Sequence, residues 1–240
     1  MKKLLAVLAV LALAVNIQAD TYTDATGDID PGIATGGGTL DIVSMEVTST
    51  PTDLILALTL NGNVATTDWG KFCIGMATLK TLGITTGNGW ARPINLVTNV
   101  NATAYGMNYW IGTWVDGGGG AQLWAYDTNT AVWTGPTALT AYSFAPGAQS
   151  IISCTVARSA LSVVGGDVVA FDAYSSGGGG GDSAVDALAN PNVSITAWGG
   201  PYTSQAPYLD TYVVPIPEPA TLGLLGVGAL VGLRLTRRTR

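Results

Sequence analysis

Apolar and polar residues alternate over short stretches along most of this chain. Leu54, Leu56, Leu58 and Leu60 share one parity, with Ile55, Ala57 and Thr59 between them. Phe72, Ile74 and Met76 alternate with Lys71, Cys73 and Gly75, and Ile152, Cys154 and Val156 with Ser153 and Thr155. A period of two marks a half-buried β-strand. Further runs rich in β-branched and aromatic residues cover positions 106–114, 122–127 and 168–174, and 193–197 is the candidate for a last strand. Glycine clusters at 36–38, 117–120 and 177–181 read as connections between strands. Helix is predicted only as single turns, one over 158–163 and one over 183–188. Together these patterns predict an all-β protein, a single antiparallel β-sandwich of jelly-roll type.

The two ends break this pattern. Residues 1–19 read MKKLLAVLAVLALAVNIQA: two lysines, a run of Leu, Ala and Val, then a small residue at Ala19. That is the layout of a secretory signal peptide cleaved before Asp20. After the sandwich, expected over residues 20–214, comes a tail of three parts over 215–240. Pro217, Glu218 and Pro219 precede an uncharged apolar run at 220–233, and Arg234, Arg237, Arg238 and Arg240 close the chain. Such a run partitions into a bilayer as a short transmembrane helix, and the arginines hold its end on the cytoplasmic side.

Charge between the ends narrows the choice of partner. Residues 20–214 hold Lys71, Lys80, Arg92 and Arg158 against fourteen Asp and Glu46, a net charge of −11. Nucleic acid is excluded as a partner, because binding phosphates takes clustered Lys and Arg. Cations and neutral polymers suit such a surface. The chain has no histidine, which removes Ser-His-Asp and Cys-His catalysis and every His-ligated metal site. The expectation is therefore a protein that is not an enzyme. The alternative is a carbohydrate-active hydrolase built on two Asp carboxylates.

Three sets of residues carry candidate chemistry. Asp24, Asp28 and Asp30 cluster beside Gly27 and Gly32, and Asp182 and Asp186 follow the longest glycine run. Carboxylates gathered with turn carbonyls are calcium ligands. Trp110, Trp114, Trp124 and Trp133 fall in one central region and form a candidate carbohydrate-binding platform, because sugars stack their apolar faces on exposed rings. Trp110 and Trp114 share a parity and hence a face of an unbroken strand. Cys73 and Cys154 would form a disulfide in an exported protein or stand as two buried thiols.

The tail resembles the PEP-CTERM sorting signal in the order and spacing of its three parts. The resemblance implies processing by an exosortase, a membrane transpeptidase-like enzyme, with Pro217, Glu218 and Pro219 as its recognition element. It also implies export to the cell surface or extracellular matrix, transient anchoring in the inner membrane through 220–233, and an association with exopolysaccharide. The middle is similar to the sandwich domains related to family 9 carbohydrate-binding modules and the DOMON-like group. DATGDID at 24–30, LDIVSMEV at 40–47, DLILALTLNG, DWGKFCIGM and the closing AWGGPY carry that similarity. It implies a two-sheet sandwich, often with calcium and in some members a sugar site between aromatic rings. Gly75 and Met76 stand where that group often has an acid. The sequence as a whole predicts an exported, exosortase-sorted protein with a structural or adhesive sandwich that binds carbohydrate.

Overall fold

The computed structural model describes residues 18–191 and 195–216. The expected leader up to residue 17, the Pro217-Glu218-Pro219 motif and the apolar run at 220–233 lie outside them. Among the described residues the fold is β throughout, apart from one 3-10 turn at Asp116–Gly118. A five-stranded antiparallel sheet runs in the order β1 (Gln18–Thr23), β2 (Ile42–Ser49), β3 (Asp53–Leu60), β11 (Ser150–Ala157), β10 (Ala141–Ala145). A seven-stranded sheet runs β13 (Ala184–Ala187), β12 (Val168–Ser176), β4 (Lys71–Ala77), β7 (Tyr109–Trp114), β8 (Gly120–Asp127), β9 (Val132–Thr137). Its seventh strand, β15 (Asp210–Val213), shares the edge of β12 with β13 and pairs with Val168 to Phe171. A third sheet holds β14 (Tyr202–Gln205), β5 (Ile94–Val100) and β6 (Thr103–Gly106), with β14 parallel to β5.

Alternation in the strands decides how the sheets stack. Leu54, Leu56, Leu58 and Leu60 of β3 and Ile152, Cys154 and Val156 of β11 are buried, and their neighbours in sequence are less so. They pack against Phe72, Ile74 and Met76 of β4 and Val169, Phe171 and Ala173 of β12 in one core. The opposite parity of the same strands, Cys73 and Ala77 of β4 and Ala170 and Tyr174 of β12, enters a second core with Trp110, Ile94, Leu96 and Tyr202. β4 and β12 of the seven-stranded sheet are thus buried on both faces, and the third sheet forms a layer beyond the two that were expected.

Four expectations need correction. Positions 183–188 are not a helical turn, because residues 184–187 pair as β13 with the end of β12. The last described strand is not at 193–197: residues 195–197 form none, and β14 and β15 follow them among the described residues. Of the two readings of Cys73 and Cys154, the disulfide gives way to the other: they are free buried thiols, one in each core. Burial pushes both up to about 12, which keeps them protonated and unreactive. Trp110, offered as a sugar-binding ring, is fully buried between Trp90 and Tyr174, with centroids at 6.3 and 6.1 Å.

Trp110 is therefore a core residue of the second layer. Trp110→Ala is expected to cost about 3–5 kcal/mol, read as a lower urea midpoint with an unchanged slope. A loss below about 1 kcal/mol would contradict its placement.

Candidate calcium centre and aromatic face

The chain leaves β1 and crosses to the seven-stranded sheet before it enters β2. Asp24 still donates its backbone N–H to Val43 O at 3.0 Å, which extends the strand pairing by one residue. Gly27 then turns with φ +80, a conformation that side chains disfavour, and donates its N–H to Asp41 Oδ2 at 3.0 Å. Buried Ile29 and Ile33 tie the loop to the first core. This path brings Asp24 and Asp28 to Asp186 of β13, with carboxylate oxygens of the three within 4.8 Å of one another.

Asp186 is fully buried, and both its oxygens are occupied: Oδ2 accepts from Ile42 N at 2.6 Å and Oδ1 from Ala187 N at 2.8 Å. The other acids are under-used. Asp24 Oδ1 accepts from Ala25 N, but its Oδ2 is buried without a partner. Neither oxygen of Asp28 accepts a hydrogen bond, and both are buried. Asp41, 5% exposed, accepts from Gly27 N and Asn61 Nδ2 through Oδ2 and leaves Oδ1 orphaned. Buried acceptors without donors are costly in a folded protein. The ion pairs among the described residues, Lys71–Asp116 and Lys80–Asp167, involve none of these acids.

The electrostatics agree with the geometry. Burial, reinforced by the charges of Asp186 and Asp28, holds Asp24 well above the usual carboxylate range. Burial also raises Asp28, with Asp41 adding to the shift, and Asp186, with Asp28 and Asp41 adding. Hard-acid chemistry suits such a donor set: oxygen ligands, mostly anionic, with no thiol or imidazole among them. Asp24, Asp28 and Asp186 would hold a calcium ion, with Asp41 as the adjoining acid.

Two expected ligands lie outside the group. Asp30 accepts from Gly32 N at 2.8 Å in its own turn, and Asp182 accepts from Gly179 N at 2.7 Å within the glycine run. Asp41 was missed in the sequence. Its signal was an acid standing between Leu40 and Ile42, both fully buried, in an otherwise apolar stretch.

Trp90, Trp114, Trp124 and Trp133 lie on the second face of the seven-stranded sheet, while Trp69 and Trp198 pack against the first core. The third sheet covers the half of the second face formed by β12 and β4, and indoles lie over the half formed by β7, β8 and β9. Trp90, from the loop before β5, lies against Gly112, and Trp114 lies against Gly120; at either glycine a Cβ would collide with the ring. Trp90 and Trp114 sit 6.2 Å apart, and Tyr126 and Trp133 5.5 Å apart. Gln122 Oε1 accepts from Trp90 Nε1 at 3.0 Å and from Trp124 Nε1 at 3.4 Å, which fixes the two rings relative to each other. Arg92 packs over Trp90 at 5.5 Å and donates to Ser176 Oγ and Asp182 O. Trp90, Trp114, Trp124 and Trp133 are all half-exposed. Trp90 was not among the expected rings, because it lies outside any alternating run.

Comparison with known proteins adds one decisive match. Residues 215–238 match the PEP-CTERM protein-sorting motif. The chain carries a PEP-CTERM sorting signal. It is accordingly an exported protein and a substrate of exosortase, anchored transiently in the membrane by this tail before it reaches the surface or matrix. No curated protein and no solved structure matches the chain. Among the described residues no helix is long and apolar enough to cross a membrane, and the apolar part of the PEP-CTERM tail lies outside them.

The raised carboxyls have a consequence for stability. Fully buried Asp172 accepts from Ser204 Oγ at 2.6 Å and Ala189 N at 3.1 Å, yet burial pushes it up to about 8. Asp172, Asp24 and Asp186 keep protons that the unfolded chain releases near pH 4. The folded state then binds more protons than the unfolded one, so stability falls as pH rises from about 4 to 8. Thermal melts in chelator are expected to give a higher midpoint at pH 5 than at pH 8. A midpoint that rises over this window would contradict the burial of these acids.

Proposed function

We propose that the mature domain is a non-enzymatic, structural or adhesive module of the cell surface or extracellular matrix that binds an exopolysaccharide on its aromatic face. The observation that carries this reading is the group of half-buried rings, Trp90, Trp114, Trp124 and Trp133, on one side of the seven-stranded sheet, with two of them fixed by Gln122. Flat, pre-positioned rings offer large contact area at little cost in side-chain entropy. Sugar rings present apolar C–H faces to such a surface. The net charge of −11 over residues 20–214 favours a neutral glycan, or an acidic one bridged by cations.

Calcium belongs to the same proposal. Asp24 and Asp28 lie on the loop that follows β1, and Asp186 lies on β13 of the other sheet. An ion held between them would cross-link the two sheets and screen carboxylates that otherwise repel. Its role is structural, since it lies among buried acids and not among the indoles.

A hydrolase built on two of these acids is less well supported. Glycosidases hold their carboxyls about 5–10 Å apart to flank a bond or admit a water. The oxygens of Asp24, Asp28 and Asp186 lie within 4.8 Å of one another, a spacing that suits a shared cation.

Co-sedimentation with exopolysaccharide from the producing organism tests the glycan. The protein is expected to pellet with the polymer. Trp114→Ala or Trp133→Ala should each weaken binding by about 30-fold, the effect of a 2 kcal/mol anchor. Absence of binding both with calcium and with chelator would overturn the carbohydrate reading. Calcium is tested separately by melting at pH 8: at 100 times its dissociation constant it should stabilise by about 2.7 kcal/mol. That corresponds to a rise of about 5–10 °C, and Asp28→Asn should abolish most of it.

A further inference from the structure

The last described strand leads straight into the PEP-CTERM tail, and the junction is rigidly built. Val214 is fully buried. Its N–H donates to Asp167 O at 2.9 Å, and its carbonyl accepts from Gly166 N at 2.8 Å. Pro215 O accepts from Arg158 Nη2 at 3.0 Å, and Arg158 in turn donates through Nη1 to Thr50 O and Pro51 O. Ile216 lies beside Gly166, 3.6 Å from where a Cβ would stand. The body of the domain therefore fixes the chain to within one residue of Pro217.

Only three residues, Pro217, Glu218 and Pro219, separate Ile216 from Ala220, where the apolar run begins. Even fully extended, the four steps from Ile216 to Ala220 span at most about 14 Å. The headgroup layer on each side of a bilayer is about 5–7 Å thick. Once the apolar run is in the hydrocarbon, the exit end of the domain is held within about 7–9 Å of the headgroup surface.

That end has the composition of a membrane-facing surface. Val164, Val213 and Ile216, exposed by 61%, 54% and 71%, surround the exit on an otherwise acidic protein. Two of the four cationic residues between Asp20 and Val214 are also here. Arg158 holds Pro215, and Lys80 donates to Ser162 O at 2.9 Å and to Asp167 Oδ2 at 2.8 Å with its side chain 41% exposed. Anionic headgroups repel the acidic body and tolerate this end, which orients the domain.

We infer that, while the tail is inserted, the end of the sandwich formed by Val164, Val213, Ile216 and Lys80 is seated in the lipid headgroup layer. The inference rests on the sorting reading of the tail. Exosortase would then meet its motif with the folded domain already at the membrane surface and no flexible stalk between them.

The test uses the tail-bearing chain in nanodiscs of phosphatidylcholine and phosphatidylglycerol doped with headgroup spin-labelled lipid. A fluorophore is placed on Val164→Cys, or on Ala148→Cys in the exposed connection before β11, at the other end of the sandwich; the native thiols are buried. Val213→Cys is a second reporter should the label at position 164 disturb its turn. Co-elution with the nanodisc tests insertion of the tail by itself. In co-eluting protein, quenching at 164 or 213 is expected to exceed that at 148 at least threefold. Equal quenching at the two ends would overturn the inference.

Discussion

The structure depends on one sheet having to be apolar on both sides. β4 and β12 stand inside the seven-stranded sheet, with the five-stranded sheet against one face and the small third sheet against the other. Residues 72–77 are all buried. An alternating strand can supply only one apolar face, so these strands must use both parities. Cys73, Ala77, Ala170 and Tyr174 on the second face therefore hold the architecture as firmly as Phe72, Ile74 and Val169 on the first. The free thiol of Cys73 follows from this: it is a small core residue at a crowded position, not half of a cross-link.

The same constraint explains where the candidate sites lie. The third sheet is narrower than the sheet it covers. What it leaves uncovered on β7, β8 and β9 is closed by indoles lying over glycines, and these rings stay half-buried. The acidic cluster lies on the opposite margin of the seven-stranded sheet, where β13 replaces β15 along the edge of β12. There the loop that joins β1 to β2 of the five-stranded sheet reaches out to β13 of the other sheet and returns. Glycine at position 27 and buried Ile29 and Ile33 let it do so, and four buried carboxylate oxygens are left without donors.

Much of this was legible in the sequence where one face of a strand is polar. The leucines of β3 and the apolar parity of β11 announce their strands, and the PEP-CTERM tail is read from its order of parts alone. Strands buried on both faces, or short and composed of small residues, are not legible in that way. SAVDAL at 183–188 reads as a helical turn by propensity but becomes β13 because the open edge of β12 supplies hydrogen-bond partners. The third sheet is hidden because β14 and β5 are brought together from distant parts of the chain. In the acidic cluster, Asp24 and Asp28 are close in the sequence and close in the fold. Their spacing could not show that Asp186 would come within reach of them, or that Asp30 and Asp182 would turn away to cap their own loops. Among the tryptophans, shared parity could not separate Trp110, over which Trp90 packs, from Trp114, which lies at the open margin.

The central claim is that the half-exposed indoles are a binding surface and not merely a lid on the second core. Acrylamide quenching of intrinsic tryptophan fluorescence tests it most directly, measured with and without the organism's exopolysaccharide. The account predicts that the polymer protects a substantial quenchable fraction, and that Trp114→Phe with Trp133→Phe removes most of that protection. Quenching unchanged at saturating polymer would contradict it and leave the aromatic face as packing alone.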